Sequence, residues 1–190
     1  KASKVLHPET GQPRIVHHAS NEQFDAFDPS RIGATRDPGW LGHGFYFSSD
    51  PNVNKNLDGT RRERNRVDVY LNLRNPLSLQ ATDWKKTKWY HIREALGLPE
   101  AKQVTPEAAR EVTNALKKRG HDGVVYDYTP TGWRHQEYMA MHPEQIKRVT
   151  NRGTWDPADE RMDYDQQGEA PAISDIGTEL YSALRAALTG

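Results

Sequence analysis

Residues 67–73, Val67-Asp68-Val69-Tyr70-Leu71-Asn72-Leu73, alternate apolar and polar side chains without a break, and this period of two constrains the chain more than any other stretch. Only a strand with one face in a core and one face outward fits it, and Asn75-Pro76 ends it. Other short segments of strand composition follow the same punctuation. Gly11-Gln12-Pro13 turns into Arg14-Ile15-Val16-His17-His18, and Gly44-Phe45-Tyr46-Phe47-Ser48 runs to Asp50-Pro51, where a short helix is expected with Pro51 at its first position. Gly123-Val124-Val125-Tyr126, Glu137 to Met141 and Lys147 to Thr150 complete the strand set. A helix is expected over 89–98 and a stronger one over 106–119, where Thr105 caps, Pro106 opens, Ala109, Val112 and Leu116 share a face, and Gly120 closes.

The 190 residues fit one domain with appendages. Mean hydropathy is −0.93 and no apolar run approaches the roughly 20 residues of a membrane helix. The absence of cysteine excludes disulfides, thiolate nucleophiles and Cys-based zinc sites. Eight histidines are present, but none are paired at His-x3-His spacing, and the adjacent pair His17-His18 diverges on a strand, so no metal site is expected. Formal net charge is zero but unevenly placed: residues 156–190 hold eight acidic and two basic residues, leaving that tail at about −6 and the rest at about +6. Residues 156–177, acidic and poor in aliphatics, read as a linker, with its segment 156–169 dispensable for folding, and 178–190 as a C-terminal helix that can open a following module.

Three motifs offer one chemically capable side chain each. Val16-His17-His18-Ala19-Ser20 presents imidazoles, Gly42-His43-Gly44-Phe45-Tyr46-Phe47-Ser48 a tyrosine opposite two core phenylalanines, and Gln136-Glu137-Tyr138-Met139-Ala140 a carboxylate opening an apolar strand. Alone, each is ordinary: a structural histidine, a buried aromatic strand and a solvated strand-end carboxylate are the commoner occupants of such positions. Their order is what informs. It resembles the His-Tyr-Glu core of ADP-ribosyltransferases, the group of diphtheria toxin and the poly(ADP-ribose) polymerases. Gly120-His121-Asp122-Gly123-Val124, Pro143-Glu144-Gln145-Ile146-Lys147 and Asn151 to Pro157 make the chain most similar to such domains in phage and mobile-element polyvalent proteins, over about residues 5–158.

The resemblance implies an α+β fold, a split β-sandwich with flanking helices occupying residues 1–155, and an NAD+-dependent mono-ADP-ribosyltransferase. NAD+ is then the co-substrate, with no metal. Cleavage of the nicotinamide–ribose bond makes the ribose C1′ positive, as in glycoside cleavage. Glu137 would stabilise that charge, His18 would orient the riboses, and Tyr46 would stack on the nicotinamide cation. Ala19, Ser20, Gly44, Phe45, Ser48 and Leu57 would complete the NAD+ pocket, with Ala19 standing where the family has glycine and Leu57 where a second aromatic is common. His135, two residues before Glu137, is not the Glu or Gln of arginine-modifying members.

The acceptor is a macromolecule, protein or nucleic acid, and the runs Arg61 to Arg66 and Lys85 to Lys88 read as solvated loops or as phosphate contacts. A toxin or effector role, a cytoplasmic site of action, no membrane partner, a monomeric domain within a larger polypeptide and an immunity or antitoxin protein as partner belong to the same expectation. Two other readings differ in kind. One is a catalytically silent nucleotide- or partner-binding module of a phage structural protein; the other is an RNA 2′-phosphotransferase, against which Glu137 argues.

Overall fold

The computed structural model describes residues 2–33, 38–53, 55, 60, 64–81, 85–128, 135–151 and 159–163. Its elements are β1 (Val16–Ser20), β2 (Phe45–Ser48), β3 (Asn65–Leu71), β4 (Leu77–Gln80), α1 (Lys88–Ala95), α2 (Pro106–Lys118), β5 (Gly123–Asp127), β6 (Gln136–Ala140) and β7 (Ile146–Arg148). The strands are linked in the order β4-β5-β6-β2-β1-β3-β7. Every neighbouring pair is antiparallel except β4 and β5. A parallel pair needs a crossover rather than a hairpin, and both α-helices lie in that connection. The fold is α+β, as expected.

The sheet is nearly two sheets. Five positions pair β1 with β3 and four pair β2 with β6, but β1 and β2 pair only at His17 and Ser48. A three-stranded half (β1, β3, β7) and a four-stranded half (β4, β5, β6, β2) therefore meet at a narrow seam.

Each half feeds a core. The first gathers Val16, Val69, Leu71 and Ile146 from the three-stranded half, Phe45, Phe47, Tyr138 and Ala140 from the other, and Phe27 and Met162 from outside the sheet. The second lies between the helices and the four-stranded half, with Trp89, Ile92 and Leu96, then Val112 and Leu116, on Val124, Tyr126 and Met139. Helix α2 forms as its sequence dictates: the Thr105 hydroxyl accepts from Ala108 N–H at 3.2 Å, Pro106 needs no partner at the first position, and Lys117 and Lys118 face the negative helix end. Its buried stripe is Ala109, Val112, Thr113 and Leu116. Each of the larger aliphatics gives about 1.5–3 kcal/mol on burial.

Three expectations change. Strand β4 is not among the expected elements, because the alternation Leu77-Ser78-Leu79-Gln80 spans only four residues. Residues 51–53 form a turn, not a helix, with Val53 N–H bonded to Asp50 O at 3.2 Å. The linker expected from residue 156 does not hold for 159–163. There Met162 is fully buried in the first core, and its backbone bonds both Arg148 and Asp25. Lys147, 1% exposed, donates to the carbonyls of Asp159 (2.5 Å) and Arg161 (2.6 Å). A methionine without apolar neighbours in sequence gives no signal of such docking. The expected C-terminal helix, 178–190, lies outside the described residues.

Candidate active site

The seam lines up polar side chains that the sequence scatters. Cross-strand register places Asp68 opposite His17, His17 opposite Ser48, Ser48 opposite Glu137, and Glu137 opposite Tyr126. Directly opposed residues share a face, so these five form one row across β3, β1, β2, β6 and β5. Tyr46, two residues before Ser48, projects from the same face.

At the three-stranded end of the row, His17 Nδ1 lies 2.8 Å from Asp68 Oδ1, and Arg66 grips both carboxylate oxygens of Asp68 at 2.8 and 3.0 Å. Burial works to raise the Asp68 carboxyl, but the bonds from His17 and Arg66 outweigh it and hold the group below its ordinary value. Arg66, read from sequence as part of a basic loop run, is thus already engaged with a carboxylate.

His18 points the other way, as adjacent strand residues must. Its ring packs against Phe27 (centroids 5.0 Å apart), Phe47 (5.7 Å) and Phe24 (6.1 Å). Its Nδ1 is 2.8 Å from the Tyr46 carbonyl. A carbonyl only accepts, so Nδ1 carries the proton in that bond. Because β1 and β2 stop pairing here, the Tyr46 carbonyl meets an imidazole across the seam. Two of the three motif residues are thereby tied directly.

Tyr46 is held at its other end as well. Its hydroxyl accepts from Leu41 N–H at 2.8 Å and donates to Gly42 O at 2.6 Å. The 41–44 turn is itself fastened to α2, with His43 N–H on the Thr113 hydroxyl at 2.7 Å. The glycines serve packing in this turn rather than ligand approach. A Cβ on Gly44 would lie 2.3 Å from Met139 Sδ and 2.5 Å from Ala140 O, and Gly42 combines φ of +115° with Thr113 Oγ1 at 2.8 Å.

Glu137 sits where β6 enters the sheet, its carboxylate bonded to the Lys88 ammonium at the start of α1. Tyr126 stands opposite. Its hydroxyl is 2.5 Å from His91 Nδ1, and burial, with the Glu137 charge adding to it, pushes the phenol up to about 12. Lys88 and His91 are three apart on α1 and so share the face that covers Glu137 and Tyr126.

Of the remaining expected positions, Phe45 is buried in the first core, and Ser48, also buried, accepts from Asp50 N–H at 3.0 Å. Ala19 and Ser20 continue β1 opposite Arg66 and Asn65. Leu57 lies outside the described residues, and no cluster of metal-ligating side chains occurs among the described ones. The structure therefore joins His18 to Tyr46, and Ser48 to Glu137, while the His18 ring lies on the face opposite Glu137. Asp68, Tyr126 and His91 are not among the sequence-based candidates, and Lys88 is there only as part of the run Lys85 to Lys88. Asp68 occupies a regular polar position of the alternating strand, which gives no sign of a partner.

Residues 8–155 match the family described as ADP-ribosyltransferase in polyvalent proteins. The chain belongs to that family. ADP-ribosyltransferases use NAD+ as co-substrate. No curated protein and no solved structure matches the chain. The match ends at 155, whereas the packing of this ADP-ribosyltransferase domain extends to 163. No helix among the described residues is long and apolar enough to cross a membrane.

Proposed function

We propose that the chain cleaves the nicotinamide–ribose bond of NAD+ and transfers one ADP-ribose to a macromolecular acceptor, protein or nucleic acid, as a toxin or effector acting in a cytoplasm. The observation that carries this reading is the seam. Along it Glu137 and Tyr46 share one face of neighbouring strands, two residues apart on the diagonal, while His18, on the other face of β1, reaches the Tyr46 backbone carbonyl.

In this reading Glu137 acts on the transition state. As the bond to nicotinamide lengthens, positive charge spreads over C1′ and the ring oxygen, and a fixed carboxylate beside it lowers the barrier. His18 orients ribose hydroxyls, its tautomer set by the Tyr46 carbonyl. The Tyr46 ring offers a π face to the nicotinamide cation, held in plane by the Leu41 and Gly42 bonds to its hydroxyl. The acceptor nucleophile attacks C1′ from the face opposite the departing nicotinamide.

The test is nicotinamide release from NAD+ by the purified chain, followed by labelled NAD+ in lysate with separate protease and nuclease digestion. Release above background, with label removed by one digestion, supports transfer and gives the acceptor class. A chain that does not consume NAD+, whether or not it binds it, overturns the proposal in favour of a catalytically silent nucleotide- or partner-binding module.

A further inference from the structure

Lys88 breaks a rule of its helix. It is the first residue of α1, whose first turn contains no acidic residue, and a cation there opposes the positive end of the helix dipole. What compensates it is the carboxylate of Glu137, and both side chains are largely withdrawn from water, at 16% and 24% exposure. Among the described residues no other side chain is bonded to that carboxylate. A residue that violates a local preference while gripping the principal functional group marks a position shaped for the site rather than for the helix.

The contact also conflicts with the chemistry proposed for Glu137, on which this inference rests. A carboxylate stabilises a developing cation less when an ammonium already touches it, because the two positive charges compete for one negative charge. The pair therefore fits the protein before the co-substrate is seated. NAD+ carries its own remedy: a diphosphate, anionic and flexible, that can take the ammonium.

We propose that Lys88 is a positioning residue that latches Glu137 in the empty site and moves to the co-substrate's diphosphate on binding, turning the carboxylate over to the ribose. Latch and receptor are one side chain, so binding the anion and exposing the carboxylate are the same event. Lys86 does not substitute, since its ammonium lies over the Tyr90 ring at 4.1 Å.

The experiment measures ADP-ribose binding by calorimetry on the full chain and NAD+ hydrolysis on the same samples. K88M should weaken ADP-ribose about tenfold, the scale of one charge-assisted hydrogen bond, and raise KM for NAD+ by a similar factor. Its kcat should rise, because the carboxylate no longer shares its charge. K88R should restore KM to within about threefold, since the charge is kept. E137Q should tighten ADP-ribose about three- to tenfold by releasing Lys88, and that gain should vanish in the double variant, the mark of a coupled pair.

An equal gain in the double variant, or a K88M chain with unaltered KM and reduced kcat, overturns the latch and leaves Lys88 as a structural partner of Glu137. If K88M fails to fold, the K88R and E137Q arms decide. The outcomes also separate the two readings: NAD+ bound and hydrolysed without Lys88–Glu137 coupling sinks only the latch, whereas no NAD+ binding by the unsubstituted chain sinks the site itself.

Discussion

The two cores of this domain are built by different means. The core under the helices is local: α2 is an amphipathic helix with both ends capped, and its stripe meets β5 a few residues further along the chain. The core at the seam is assembled from afar. Phe27 comes from a loop, Phe45 and Phe47 from β2, and Met162 from beyond the matched domain, and the carbonyls of Phe24 and Asp25 are held by Arg148 and Met162. The functional motifs lie where the two meet, so the local core supplies a rigid wall and the remote one supplies the piece that positions His18.

The largest effect should come from removing the remote piece. Deleting 159–190 takes Met162 out of the first core and strips two carbonyls from the buried Lys147 ammonium. Loss of a buried methionine side chain costs about 2–5 kcal/mol, and an uncompensated buried charge about 3–5 more. Together these approach the whole stability of a typical domain, about 5–15 kcal/mol. The truncated chain should be insoluble or melt more than about 10 °C lower. M162A alone should fall by roughly half as much in a thermal melt, and a truncated chain with normal melting would remove the distinction between the cores.

Next comes Glu137, anchored on the four-stranded half. E137Q should cut nicotinamide release by about a hundredfold or more while shifting the melting temperature by only a few degrees. A parallel loss of fold and turnover would mean that the Lys88 pair is structural.

Tyr46 joins the two constructions, and here the structure alters the expectation. Stacking alone predicts that Y46F is nearly silent. Its hydroxyl, however, serves Leu41 N–H and Gly42 O, so Y46F leaves both without that partner and should cost about 1–3 kcal/mol. Activity should fall chiefly through KM for NAD+ as the glycine turn loosens, and Y46A should fall further through loss of the ring. Equal stability of Y46F and the unsubstituted chain would show that water satisfies the turn.

What the sequence revealed follows the same division. The alternation of β3 and the capping of α2 are written in neighbouring residues, and Phe45 and Phe47 point into the core as the period of two requires. The divergence of His17 from His18 was legible for that reason too. The Asp68–His17–Ser48–Glu137–Tyr126 row was not, because register between residues 11 to 89 positions apart is set by the whole sheet. Lys88 looked like one of several solvated lysines, and Met162 like part of an acidic linker. Nothing within a few residues of either reports its partner.

The smallest effect tests the local wall through His43, which lies in the glycine turn against α2. Partial burial, followed by the charges of Arg110 and Lys117 on that helix, lowers its imidazole below the ordinary value of 6.5. The folded state therefore binds fewer protons here than the unfolded chain does. This contribution to stability is complete above about pH 6.5 and is lost as pH falls through the unfolded value toward the folded one. His43 is only partly buried, so screening keeps the effect small, about 1 °C in melting temperature between pH 7.5 and 5. H43Q should flatten that part of the pH dependence and leave the rest. The lowered carboxyl of Asp68 titrates at more acidic pH and does not enter this window. An H43Q chain whose melting falls as steeply with acid as the unsubstituted one would show that the wall from α2 does not govern the turn that holds the Tyr46 hydroxyl.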